Sequence, residues 1–167
     1  MKKSLIFIAS LLFMLTSCKE GSADKTERSG EPDVYNVEDD DARMNQAIVD
    51  AKNSIDEFKE ALASENPDHS FFTIKQKFDA DGGAEHIWVG DIQLIDDDFM
   101  GIIANEPMYT NQVQLGDTIT VNRANISDWM YYEEGKVVGG FTIRAIRDGL
   151  SPEEQAQFDA ENGLIFK

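Results

Sequence analysis

Cysteine is almost absent from this chain: Cys18 stands alone among 167 residues. A single thiol excludes an internal disulfide framework and any zinc site built on more than one thiolate. Proline, at 4, and glycine, at 12, are too few for a collagenous or low-complexity chain. Positive charge is short as well. Fifteen Lys and Arg stand against 32 Asp and Glu, a formal net charge of −17. Such a surface repels phosphate and gains nothing from counterion release, so no nucleic-acid partner is expected. Also missing are G-x-G-x-x-G, a Walker loop, H-E-x-x-H and G-x-S-x-G, so no cofactor is expected. What is present, at 41% hydrophobic residues, suffices for one buried core.

The start of the chain carries an address. Met1-Lys2-Lys3 is basic, and residues 4–14 form an apolar run without charge. That run is too short to span a bilayer, and the layout is that of a secretory signal. Leu15-Thr16-Ser17-Cys18 follows, and it resembles the lipobox of bacterial lipoprotein precursors. The resemblance implies cleavage before Cys18, a diacylglycerol on its sulfur and a third acyl chain on its amine. At ~0.8 kcal/mol per buried methylene, two or more chains hold a protein on a membrane where one holds it marginally. Residues 1–17 are therefore expected to be a signal peptide and Cys18 a lipid anchor. The protein belongs, on this reading, in the cell envelope outside the cytoplasm, periplasmic or at the surface.

Residues 18–37 are polar, with Gly, Ser, Pro and mixed charge, and predict a flexible acidic tether. Residues 38–167 predict a single α+β domain. Glu38-Asp39-Asp40-Asp41 suits the positive end of a helix dipole. Met44, Ile48, Ala51, Ile55, Phe58 and Leu62 follow as one apolar stripe, predicting a long amphipathic helix that stops at Asn66-Pro67. From Ser70 onward, alternating segments separated by Asp/Gly turns predict a mainly antiparallel sheet of about five strands. Residues 141–150 fit a helix ended by Gly149 better than a strand. Ser151-Pro152-Glu153-Glu154 is a capping box opening a last short helix.

Several stretches resemble the YegJ-like family, a bacterial domain of unknown function. They are Asp81-Gly82-Gly83-Ala84-Glu85-His86-Ile87-Trp88, Asn105-Glu106-Pro107, the segment 115–121, Ile126-Ser127-Asp128-Trp129-Met130-Tyr131, and the segment 135–144. They fall in family order between residues 71 and 146. The resemblance implies no activity, substrate or catalytic residue.

The residues that could carry chemistry are few. Strand alternation places His86, Trp88, Ile92 and Leu94 on one face and Glu85, Ile87 and Val89 on the other. This predicts His86 and Trp88 on the inner side. His86 is either a hydrogen-bonded structural histidine or a general base oriented by Asp117 or Asp128. His69, beside Pro67, reads as a solvated loop residue. The carboxylates at Asp79/Asp81 and Asp96/Asp97/Asp98 fail the calcium-loop pattern, since aligning Gly82 to position 6 puts Lys77 at position 1, so no metal site is expected. Trp129 and Tyr131 share a face, either core or recognition surface. Arg144 and Arg147 are expected to pair with carboxylates such as Asp128 or Asp117. Two classes remain. One is a lipid-anchored, non-catalytic binding module, to which an immunity-type protein would belong, whose acidity suits a basic protein or cell-envelope partner. The other is an extracytoplasmic hydrolase using His86 with a nearby carboxylate.

Overall fold

The computed structural model describes residues 24–26, 34–36 and 41–167. The expected signal peptide and the expected lipid anchor at Cys18 lie outside the described residues. So does most of the expected tether. Within it, β1 (Asp24–Thr26) and β2 (Val34–Asn36) pair antiparallel, with Asp24 opposite Asn36.

The expectation of one long N-terminal helix on about five strands is corrected. The apolar stripe folds as two short helices, α1 (Ala42–Asn53) and α2 (Ile55–Ala63). Asp41 caps the first, accepting from the amides of Arg43 and Met44. The break falls at Ser54, whose hydroxyl donates to the Asp50 carbonyl at 2.7 Å. A serine bonding back to its own helix competes with the backbone ladder and bends it.

The sheet has six strands: β3 (His69–Ala80), β4 (Gly83–Ile95), β5 (Asp98–Ile103), β6 (Thr118–Thr120), β7 (Ile126–Glu133) and β8 (Lys136–Gly139). All neighbours pair antiparallel, in the order β6-β5-β4-β3-β7-β8. The sixth strand is β8, which the sequence shows only as Val137-Val138 after a turn. Helix α3 (Phe141–Asp148) ends at Gly149. Helix α4 (Pro152–Asn162) opens on the Ser151/Glu154 capping box. Among the described residues no helix is long and apolar enough to cross a membrane.

One face of the sheet is packed by helices. Phe58 of α2 meets Phe72, Phe99, Trp129 and Tyr131 at centroid distances of 5.4 to 6.5 Å. The indole Nε1 of Trp129 donates to the Ala51 carbonyl of α1 at 2.9 Å, so the largest buried side chain is also satisfied.

Two irregularities decide which side chains reach the other face. The β4/β5 register shifts between Gly90 and Gln93, and Asp91 there has φ 48°. The β3/β7 register shifts between Lys75 and Gln76, so Ser127 is an extra residue in β7.

Candidate functional site

The first of these bulges overturns the expected placement of His86 and Trp88. Upstream of it Ile87 and Val89 are buried, and downstream Ile92 is. The strand changes phase, so the parity of Ile92 and Leu94 does not carry back. His86 is exposed and Trp88 half-buried, both on the face away from the helices. There Trp88 lies opposite Lys75, and His86 opposite Lys77.

The second bulge brings consecutive Ser127 and Asp128 against Lys75, and both are buried. Asp128 is the best-satisfied carboxylate on this face. One oxygen accepts from the amides of Trp129 at 2.8 Å and Phe141 at 2.9 Å. The other accepts from the Thr142 amide at 2.8 Å and from the Thr142 hydroxyl. Phe141 and Thr142 open α3, whose own N-cap, Gly140, has no side chain to offer. Asp128 thus caps a helix from a neighbouring strand. Gly139 completes the joint: a Cβ there would stand 2.3 Å from the Trp129 carbonyl oxygen.

Lys75 joins the same network. Its Nζ donates to Thr142 Oγ1 at 2.8 Å and lies 4.5 Å from the Trp88 ring centroid. An ammonium, a hydroxyl and a carboxylate are thereby strung together, with an indole over the ammonium. Burial pushes the Lys75 ammonium below its usual pKa, against the opposing pull of Asp128. Burial pushes the Asp128 carboxyl up, against Lys75, Thr142 and the Trp129 amide.

His86 Nδ1 lies 2.7 Å from Ser127 Oγ, and that hydroxyl donates to the Lys75 carbonyl at 3.2 Å. The direction of the His86–Ser127 bond follows the imidazole tautomer. Ser127 is 1% exposed, so its hydroxyl is closed to a substrate. Of the carboxylates named for the general-base alternative, Asp117 holds the turn into β6 and Asp128 caps α3.

The other expected residues have different duties. Glu85 holds the loop after β5: its carboxylate accepts from the amides of Met108, Tyr109 and Thr110 at 2.8 to 2.9 Å. Asn105 Oδ1 accepts from the Trp88 amide at 2.9 Å. Asp117 accepts from the Gln114 amide, closing the turn into β6. Trp129 is core. Arg144 donates to the carbonyls of Gly139 (2.8 Å) and Val137 (3.2 Å) rather than to Asp128 or Asp117. Desolvation lowers its pKa, opposed by Asp148 and Asp128. Arg147 forms a bidentate pair with Asp159, joining α3 to α4. His69 is corrected as well. It opens β3, its side chain is 11% exposed, and its ring is 4.9 Å from that of Tyr131. Among the described residues no group of three or more His, Cys, Asp or Glu is placed to hold a metal ion.

Sequence reasoning missed Lys75, Ser127 and Thr142. Only Thr142 left a signal, as a hydroxyl at the second position of a helix without a capping side chain.

The comparisons with known proteins bear on this geometry. A family model described as an uncharacterized protein conserved in bacteria (DUF2314) matches residues 41–166. The uncharacterized protein YegJ of Escherichia coli (strain K12) is 30% identical over 159 residues, 95% of this chain and 97% of that protein. A protein of Neisseria meningitidis serogroup B named as an ankyrin repeat protein is 32% identical over 145 residues. That match covers 82% of this chain and 57% of the Neisseria protein. No solved structure matches significantly. The family match begins before α1, so both helices of the apolar stripe lie inside it and not outside, as the sequence motifs alone suggested.

Proposed function

The chain belongs to the DUF2314 family of uncharacterized bacterial proteins, and from that premise we propose that it is a non-catalytic binding module of the cell envelope. On this reading lipid on Cys18 holds it to a membrane, on the extracytoplasmic side. One observation carries the reading. The groups able to do chemistry around the sheet are spent on the protein's own backbone and side chains: on the outer face Asp128 on α3 and Ser127 on Lys75, and on the opposite side of β4 Glu85 on the 108–110 loop. The helix layer presents Asp50, Asp56, Glu57 and Glu60 to solvent, which suits a basic protein or cell-envelope partner.

Photocrosslinking from positions 56, 57 and 60 in native membranes tests the reading. The expected product is one basic envelope protein. It should vanish in an Asp56→Lys, Glu57→Lys, Glu60→Lys variant whose urea midpoint is unchanged. A product that persists in that variant, or depends equally on positions around His86, overturns the assignment of the acidic face. The anchor has its own test: Cys18→Ser should abolish fatty-acid labelling and membrane fractionation.

A further inference from the structure

After α4 the chain returns to the sheet. Phe166 forms a parallel bridge with Val137 of β8. The Val137 amide donates to the Ile165 carbonyl at 2.7 Å, and the Lys167 amide donates to the Val137 carbonyl at 3.0 Å. Leu164 and Phe166 are half-buried while Ile165 and Lys167 are exposed, the alternation of a strand laid on a surface. The Phe166 ring sits in a made slot. Gly140 borders it at φ 67°, where a Cβ would crowd Val137 at 3.3 Å and touch the ring at 3.6 Å. The Arg144 guanidinium covers it, 4.4 Å from the ring centroid, and is itself held by the Gly139 and Val137 carbonyls. Lys167 meets Glu133 at 2.5 Å. A cleft of about 430 Å³, lined by Arg144, Arg147 and Asp159 among others, continues alongside residues 164–166.

The occupant is held lightly compared with its slot. Two backbone hydrogen bonds fix it, Ile165 is 62% exposed, and its terminal ion pair lies near the surface. The slot is braced by Arg144 and by the Asp128 cap on α3. We propose that the Val137–Gly140–Arg144 slot is a docking site for an extended peptide of pattern aliphatic–any–aromatic–basic, and that residues 164–167 hold it closed as an intrachain stand-in. The inference rests on the binding-module reading and names its partner's chemistry. Main-chain pairing along β8 supplies affinity, the slot selects an aromatic side chain, and Glu133 selects a following lysine or arginine.

The test uses the full chain in detergent and a fluorescent Gly-Leu-Ile-Phe-Lys peptide, with Gly-Leu-Ile-Ala-Lys as control, read by anisotropy. A self-occupied site lowers apparent affinity by the fraction of time it is open. Phe166→Ala should therefore bind the phenylalanine peptide at least about tenfold more tightly than wild type does. Lys167→Glu, which sets two carboxylates against each other, should shift binding in the same direction by less. Arg144→Ala added to Phe166→Ala should remove the gain. A cooperatively folded Phe166→Ala that binds both peptides alike overturns the proposal. If that variant does not fold, Lys167→Glu decides: no gain over wild type overturns it. Either failure leaves the crosslinks from positions 56, 57 and 60 untouched, so the two readings fall separately.

Discussion

Asp128 and Glu85 each use one carboxylate to hold three backbone amides, all three in a distant loop for Glu85 and two at the start of α3 plus that of its own neighbour Trp129 for Asp128, in different surroundings. Asp128 is fully buried, takes a hydroxyl as a fourth donor, and has Lys75 one hydroxyl away. Glu85 is half-buried at the rim of the sheet and holds a loop whose Met108 and Tyr109 are exposed. The same geometry therefore has different energetic weight. Where water can replace a lost partner the loss is modest, and where it cannot the full desolvation penalty remains.

The largest effect should come from Asp128→Asn. It turns one acceptor oxygen into a donor, which must face either the Trp129 and Phe141 amides or the Thr142 amide, and leaves Lys75 without its counter-charge. Breaking a buried pair in this way costs about 3–5 kcal/mol. Urea denaturation measures it, and a cost no greater than that of Glu85→Gln would erase the contrast between the two sites. Glu85→Gln keeps one acceptor oxygen and should cost about 1–2 kcal/mol. Its signature is local: amide exchange at Met108, Tyr109 and Thr110 should quicken while the core stays protected. His86→Ala should cost at most about 1 kcal/mol, since the Ser127 hydroxyl keeps its bond to the Lys75 carbonyl.

A fourth test sharpens the contrast through pH. The Asp128 value is raised, so its contribution is present in acid and lost as pH rises through that value. The cost of Asp128→Asn should grow on acidification. Glu133 is lowered, first by its hydrogen bond to Lys167, so its contribution is present above the ordinary glutamate range and lost as pH falls through the lowered value. The difference in Tm between wild type and Glu133→Gln, the smallest effect of the set, should fade on acidification. Parallel pH trends for the two carboxylates would refute the opposed signs.

The strands and turns were legible wherever polar punctuation marked them, as at Asp81-Gly82, Asp96-Asp97 and Glu134-Gly135. The capping box of α4 was legible because a backbone requirement falls on a few residue types, whereas Gly149 ends α3 at φ −81°, a conformation open to any residue. The break at Ser54 was not, since the apolar stripe runs through it and a serine in a helix is ordinary until its hydroxyl turns back. The site was less legible still. The stretch from Ile126 to Thr142 held most of its parts, yet nothing local says that Asp128 reaches across β8 to α3. His86 was misplaced by parity, which holds only in a strand without an inserted residue. Lys75 looked like any solvent-facing lysine of β3, because the side chains that enclose it come from β4 and α3.

The bulge at Asp91 carries a consequence for how this gene tolerates length changes. Strand β4 is two half-strands in opposite phase, joined by one residue that acts as a phase shifter. Deleting one codon there would straighten the strand and keep its dry side, because Ile92 would then stand two positions from Val89 and on the same face. Deleting a codon on either side of the bulge does the opposite: loss of Trp88 would set Ile87 and Val89 on opposite faces. The same loss in the 104–117 loop would only shorten a connection. Sensitivity to single-codon deletion along β4 should therefore dip at Asp91 and rise on both sides of it.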